Sequence, residues 1–314
     1  MVGDSSMEKR KVIIIGGGCS GLTAAVYTSR AELSPLVIGG INGGGQLTKT
    51  TEVENFPGFP DGIMGPELVS NIRKQAEKFG AEFLDTDVTK VDFSNRPFKI
   101  WAGDKEYSAD AVIVATGADA RMIGLDSEER LVGHGVSTCA TCDGFFYRGK
   151  EIAVVGGGDS ALEEANFLTK FASKVSLIHR RDKFRASKAM QEKVFKNEKI
   201  EIIWDSTVVE VLDEGTGLVT GVKLKNKKSN EETILKIDGL FVAIGHIPNT
   251  SIFKGELELD DSGYILHKDI DTHTSVEGVF VCGDVYDQRY KQAITAAGMG
   301  CKAALDTEKF LENN

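Results

Sequence analysis

Two cysteines separated by two residues, Cys139-Ala-Thr-Cys142, are the sharpest chemical feature of this 314-residue chain. That spacing lets the sulfurs close a small disulfide ring or share a metal ion. A structural metal site needs two more ligands at matching spacing. Cys19, Cys282 and Cys301 are isolated, no second Cys-x-x-Cys exists, and nearby His134 brings the set only to three. A redox-active dithiol is the favoured reading, with a pair of inert buried thiols as the bland alternative. Asp143 follows Cys142 directly. A carboxyl group there can protonate a departing thiolate, although its place before Gly144 suits a turn cap better.

Two glycine loops supply a second kind of chemistry. Gly16-x-Gly18-x-x-Gly21 follows the β-branched run Lys11–Ile15, and Gly156-x-Gly158-x-x-Ala161 follows Glu151–Val155. In such a loop the first glycine makes the tight turn and the second lets backbone approach a pyrophosphate. The third position lets helix and strand pack closely, and amides at the helix start hold the phosphate. The loops differ in the residues just past the next strand. A site for NAD carries an acid there, about 20 residues on, for the ribose hydroxyls. After the second loop that place holds His179-Arg180-Arg181, with Arg185 a turn further. Guanidinium groups suit a 2′-phosphate instead, hence NADP, against the alternative of a solvated basic run. After the first loop it holds Gly39-Gly40 and no acid. Two different dinucleotides, flavin and nicotinamide, are the resulting expectation. Gly283-Asp284 closes an apolar strand and can hydrogen-bond a flavin ribityl chain, although Gly-Asp alone is a common turn. Cys19, inside the first loop, reads as packing, and Cys282 and Cys301 as small buried residues. His246, His267 and His273 are isolated and gain no role.

These residues need strands that end together. Leu22–Arg30 and Leu162–Leu168 read as helices, with Leu36–Ile38 and Val175–Ile178 as the strands they lead to. Strand–helix–strand at this spacing is the signature of a parallel sheet. Ala111–Ala115, Gly239–Ile244 and Gly278–Cys282 read as further buried strands, the first two leading to turn glycines Gly117 and Gly245. Thr207–Leu212 and Val219–Lys225 alternate and predict appended antiparallel strands. The two strand–glycine–helix segments, starting at Lys11 and Glu151, describe a duplicated unit and not a short repeat.

Composition bounds the rest. Apolar residues are 41% and charged residues 27%, so a globular protein with a real core is expected, at a length that suggests two domains. A net charge of −10 argues against a nucleic-acid binder. No apolar run reaches the roughly 18 residues of a membrane span. Val12–Ile15 is too short for a signal-peptide core, and Met1–Ser6 reads as a polar, frayed end. Five cysteines are not a secreted disulfide framework, so a reducing, cytoplasmic setting is expected.

Taken in order, the motifs resemble those of the low-molecular-weight, bacterial-type thioredoxin reductases, class II pyridine nucleotide-disulfide oxidoreductases. The resemblance spans nearly all of residues 10–311. It rests on Gly16–Gly21; Gly44-Gly45-Gln46-Leu47 with Thr51–Asn55; Ala115-Thr116-Gly117; Cys139–Tyr147; Gly156–Ala161; His179–Arg181; Gly245-His-x-Pro-Asn249; and Gly283-Asp284 with Gln292-Ala293-Ile294. It implies an α/β fold of two Rossmann-like, three-layer β/β/α domains, the NADPH domain inserted into the FAD domain. Residues 1–118 and 250–314 would form the FAD domain, and 119–249 the NADPH domain with the dithiol.

By the same resemblance, Gly16, Gly18, Cys19, Ser20 and Gly21 line FAD, with Gly39, Gly45, Gln46, Leu47 and Asn55. Val88 brings its backbone to the adenine. Ala115, Thr116, Gly117, Gly283 and Asp284 complete that site with Lys291, Gln292, Ala293 and Ile294. NADPH would meet Gly156, Gly158, Asp159 and Ser160, then His179, Arg180, Arg181 and Arg185, with Ile244 and Gly245. Electrons would pass from NADPH through flavin to the disulfide. Cys142 would lie nearer the flavin, Cys139 would attack thioredoxin, and Asp143 would be the general acid. One flavin face cannot meet nicotinamide and dithiol together, so the family implies rotation about hinges near Ala118–Arg121 and Gly245–Asn249, and a homodimer. The chain departs from the pattern at Cys19-Ser20, at Lys291, where arginine is common, and in the glycine-rich turn Gly39–Gly45. The alternatives are a reductase of another thioredoxin-like protein, a flavin dithiol oxidase, a ferredoxin–NADP reductase and a nucleotide-sensing module. The arginines argue against the oxidase, and the cysteine pair against the last two.

Overall fold

In the computed structural model, which describes residues 7–41, 43–268 and 272–314, the run Val12–Ile15 is buried on both faces of a parallel sheet. Met1–Ser6 and Asn42 of the glycine-rich turn lie outside the described residues. Strand Glu8–Ile15 pairs in parallel with Leu36–Ile38 on one side and Lys105–Val114 on the other. Glu82–Leu84 extends the sheet beyond Leu36–Ile38. On its other edge the long strand Lys105–Val114 serves two further partners. Its first half pairs antiparallel with Phe98–Ala102, which in turn pairs with Val88–Asp92, and its second half pairs in parallel with Val279–Val281. The register sets Ile15 opposite both Ile38 and Val114, and Val114 opposite Val281. All four strands therefore finish at one level.

Alternate residues of these strands feed two cores, as a parallel sheet covered on both faces requires. Val12 and Ile14 pack with Ala24, Ala25 and Ala303, from helices Cys19–Arg30 and Ala293–Glu312. Ile13 and Ile15 pack with Phe98, Ile100 and Phe253. The two helices touch almost backbone to backbone. A Cβ on Gly300 would stand 2.1 Å from Ser20 O.

The second body repeats the plan. Val136–Ser137, Gly239–Val242, Glu151–Val155, Lys174–Ile178 and Ile200–Ile203 form a parallel sheet in that spatial order. Val155 lies opposite Ile178 and Val242, so these ends also coincide. One face packs on helix Asp159–Leu168 through Ala161, Leu162, Ala165 and Leu168. The other packs on an antiparallel sheet of Ser206–Leu212, Gly221–Asn226 and Glu232–Lys236, through Val208, Val211, Val222 and Leu224. Helix, parallel sheet and antiparallel sheet are the three layers of the expected β/β/α fold.

By contact density the chain divides into Met1–Asp119 with Ile247–Asn314, and Ala120–His246. The turn residue Asn249 belongs with the first unit. Its N–H reaches Gly117 O at 3.0 Å, its Nδ2 donates to Thr116 O and Asp119 Oδ2, and its carbonyl accepts from Thr116 Oγ1. The glycine-loop helices begin at Cys19 and Asp159, a turn before the apolar periodicity of Leu22 and Leu162 announces them. Gly18 and Gly158 already act as N-caps, with Leu22 N–H bonded to Gly18 O and Leu162 N–H to Gly158 O. No helix among the described residues is long and apolar enough to cross a membrane.

The glycines of the last helix separate steric need from tolerance. Gly300→Ala forces Cβ onto Ser20 O and is expected to destabilise by about 1–3 kcal/mol. Gly298→Ala meets nothing within 4 Å. It is expected to stabilise by roughly 0.5–1 kcal/mol through lower chain entropy. Thermal denaturation of both variants checks the pair, and equal shifts would contradict the close crossing of the two helices.

Candidate functional site

In the first unit the aligned strand ends bring the glycine loop, Gly39, Ala115–Gly117 and Gly283-Asp284 together. Gly16, at φ +119°, faces Ala115 so closely that a Cβ would sit 2.2 Å from its carbonyl oxygen. A Cβ on Gly17 would meet Gly39 Cα at 3.0 Å, and one on Gly21 would meet Gly16 O at 2.0 Å. Gly18 is different, since its nearest neighbour would be Gly45 Cα at 4.0 Å. It caps its helix with no side-chain bond to the first-turn amides. Those amides remain donors at the positive end of a helix, which suits a phosphate.

The far side of this cradle is equally close. A Cβ on Gly283, at φ +78°, would lie 2.5 Å from Ser20 Oγ, and Cys19 Sγ donates to Ala293 O at 3.3 Å. Burial pushes the Cys19 thiol up to about 11, so it packs and does not react. Cys282 is fully buried, and burial raises it too. Asp284 is half-buried, and no donor among the described residues reaches its carboxylate. Burial and the nearby Asp287 push it up to about 6, with Lys291 opposing them. A carboxylate lacking protein partners at a strand end fits the hydroxyls of a bound polyol chain. Asn55 Nδ2 donates to Gln292 Oε1 at 3.3 Å, next to Ala293, and Ile294 is exposed. Asp287, which sequence reasoning missed, shapes this loop by accepting the N–H groups of Arg289, Tyr290 and Lys291.

Other expected residues take partners that no motif announced. Gln46 Nε2 donates to Asp119 Oδ1 at 2.6 Å, and Lys49 and Asn249 converge on the same carboxylate. Burial opposes ionisation of Asp119, but these donors hold its carboxyl below the usual range. Leu47 packs in a small cluster with Val53, Ile63 and Leu68. Val88 opens the strand Val88–Asp92, one residue past Asp87, whose carboxylate accepts the Ile41 N–H. Thr116 and Gly117 are held by their hydrogen bonds with Asn249.

The second unit has the same turn with different surroundings. A Cβ on Gly156 would stand 2.5 Å from Ala243 O, while Gly158 has nothing within 4 Å. Gly158 also caps its helix with no side-chain bond. Asp159 Oδ1 accepts Ser187 N–H at 3.0 Å and Ser187 Oγ–H at 2.7 Å, and Ser160 is exposed beside it. Past the neighbouring strand end, Arg180, Arg181 and Arg185 are exposed, and no carboxylate among the described residues pairs with them. Arg10 and Arg73, by contrast, each bridge two carboxylates. Three unpaired guanidinium groups in a chain of net charge −10 fit an anionic ligand. His179 behaves otherwise, for the residue is only 6% exposed. Ile244 and Gly245 lie just past the strand end Val242, with Gly245 O accepting Arg121 N–H at 2.9 Å.

Cys139 and Cys142 are joined in a disulfide, with Cα atoms 5.3 Å apart. Cys139 caps the four-residue helix Ala140–Asp143, and Asp143 N–H bonds Cys139 O at 3.1 Å. Ala140 packs in the core with Ala165 and Leu168, so the redox pair is anchored to the glycine-loop helix. Cys142 is exposed and Cys139 half-buried, its sulfur 3.4 Å from Thr141 Oγ1. Burial raises the Asp143 carboxyl, opposed by a hydrogen bond from Ser137. Ser137, which no motif flagged, also accepts Cys139 N–H at 3.0 Å. Phe145 and Phe146 stand exposed immediately after.

The family model for the pyridine nucleotide-disulphide oxidoreductases matches residues 10–300. A thioredoxin reductase of Rickettsia conorii is 52% identical over 303 residues, covering 96% of this chain and 98% of that protein. One from Streptomyces coelicolor is 55% identical over 306 residues, covering 97% and 94%. Among solved structures, the thioredoxin reductase of Giardia duodenalis matches with a TM-score of 0.93 at 49% identity, covering 98% of this chain and all of that one. That of Streptococcus pyogenes matches at 0.93 and 39% identity, with the same coverage.

The open position at Gly158 gives a direct test of the second loop. A Cβ at Gly158 meets no protein atom within 4 Å, so Gly158→Val branches into open space and fills the approach to the first-turn amides. The variant is expected to fold and keep its flavin while losing at least about tenfold in NADP⁺ affinity. Unchanged NADP⁺ binding by calorimetry would place the nucleotide elsewhere.

Proposed function

This chain belongs to the pyridine nucleotide-disulphide oxidoreductase family, and we propose that it is an NADPH-dependent reductase of thioredoxin that carries electrons through FAD to the Cys139–Cys142 pair. The observation that carries this reading is the Cys139–Cys142 disulfide, set in the same unit as a glycine loop with three unpaired arginines. FAD is assigned to the cradle of Gly16–Gly21 and Asp284, and NADPH to that of Gly156–Asp159 with Arg180, Arg181 and Arg185. Bound there, the two cofactors supply the hydride and electron-pair chemistry that converts the disulfide to a dithiol.

The chain's own residues then do thiol–disulfide exchange. The Cys139 thiolate attacks the disulfide of thioredoxin, forming a mixed disulfide and releasing one thioredoxin thiolate. Cys142 attacks the mixed bond, restores Cys139–Cys142 and releases the second thiolate. The two protons lost by the dithiol end on thioredoxin. Thr141 Oγ1, at 3.4 Å from the Cys139 sulfur, is placed to donate to a thiolate there. Asp143 holds its proton to higher pH than an exposed carboxylate because it is buried, which suits a general acid beside the departing sulfur. This contribution is present at low pH and fades as pH rises through its raised pKa.

The unit bearing the dithiol turns relative to the FAD unit between half-reactions. The two crossings, Asp119–Ala120 and His246–Ile247, support this, each lying near a left-handed glycine, Gly117 or Gly245. The protein works as a homodimer in the cytoplasm, a setting consistent with its few cysteines. The unpaired arginines favour this reading over a flavin dithiol oxidase, which needs no NADPH site.

Cys139→Ser separates the two half-reactions. The variant is expected to lose thioredoxin reduction while NADPH still bleaches its flavin. Retained turnover with thioredoxin would overturn the dithiol mechanism.

A further inference from the structure

His179 sits at the head of the arginine segment, yet its geometry is unlike that of the arginines. The residue is 6% exposed, and its ring lies against Phe184 at 5.4 Å and Trp204 at 6.1 Å. Nε2 is 3.1 Å from Lys183 O. The imidazole fills the face of Gly157, where a Cβ would stand 2.1 Å from Cε1 and 2.2 Å from Nδ1. Both the glycine loop and the arginine segment therefore bear on one buried ring. Two further contacts close the same seam. Arg185 N–H reaches Gly157 O at 2.8 Å, and Ser187 donates twice to Asp159.

We propose that His179 is a positioning residue, one that clamps the second glycine loop to the arginine segment and makes no contact with the 2′-phosphate. The proposal rests on the assignment of NADPH to this unit. Burial, with Arg181 and Arg180 adding to it, holds the imidazole below its ordinary pKa. It is then neutral near pH 7 and has no charge to offer a phosphate. A neutral imidazole has one N–H, and with Nε2 against Lys183 O and Nδ1 packed on the face of Gly157 the ring is turned to the main chain and not to the ligand. What it does is fix Gly157, and through it the amides at the start of helix Asp159–Leu168. NADPH and NADH share the pyrophosphate those amides would hold. Loss of the clamp must therefore weaken both nucleotides alike. Loss of an arginine removes a partner that only the 2′-phosphate uses.

The test measures dissociation constants of NADP⁺ and NAD⁺ by calorimetry on the purified flavoprotein, titrated into the millimolar range. His179→Phe keeps a ring against Phe184 and Trp204 but removes both nitrogens. It is expected to raise both constants in parallel, roughly tenfold, leaving their ratio unchanged. Arg180→Ala is expected to raise the NADP⁺ constant alone. Ser187→Ala, at the surface, loosens the same seam without touching the core and should give a smaller parallel rise, which decides the matter if His179→Phe does not fold. A rise confined to NADP⁺ in His179→Phe would make the histidine a phosphate ligand and overturn the proposal. Unchanged constants in a folded variant would also overturn it. Failure of the NADPH assignment shows separately, as wild-type protein that binds neither nucleotide.

Discussion

Gly16 and Gly156 stand where any side chain would collide with a carbonyl of the adjacent strand end, Ala115 O at 2.2 Å and Ala243 O at 2.5 Å. Backbone therefore meets backbone at both turns, and each helix start is drawn in against its sheet. Gly18 and Gly158 then face open space with uncapped amides behind them. The paired registers Ile15–Val114 and Val155–Val242 put these turns level with the neighbouring loops. Two glycine turns of the form that suits a dinucleotide arise from one steric rule applied twice.

What distinguishes the cradles is electrostatic. The first closes on Asp284, a carboxylate that burial lifts to about 6 and that no donor among the described residues satisfies. The second opens beside three arginines with no carboxylate partner. The first arrangement suits hydrogen bonds from neutral hydroxyls, and the second suits an added phosphate. The dithiol packs on the second loop's own helix through Ala140, Ala165 and Leu168, so the arginine-flanked loop and the disulfide belong to one unit.

The sheets and turns were legible in the sequence because their signals are local. Val12–Ile15 and Glu151–Val155 are short β-branched runs stopped by glycine, and Val222 and Leu224 show the alternation of a sheet covered on one face, whereas Val208 and Val211 share that face only across a register shift no alternation announces. Helix starts were read a turn late, since an N-cap glycine carries no apolar signal. The partners of single polar residues were not legible at all. Asp119, Ser137 and Ser187 act through contacts with Gln46, Cys139 and Asp159, which the fold brings together and no spacing rule predicts. The sequence set His179 with the arginines as one nucleotide-binding segment, whereas the structure turns His179 inward and leaves the guanidinium groups outside.

The central claim is a single electron path from NADPH to thioredoxin through this chain. Its most direct test is an anaerobic titration of the purified flavoprotein with NADPH, then with oxidised thioredoxin, while the long-wavelength flavin absorption is recorded. Bleaching by NADPH and recovery on adding thioredoxin is the predicted result. Bleaching without recovery would contradict thioredoxin as the acceptor, and no bleaching would contradict the nicotinamide site itself.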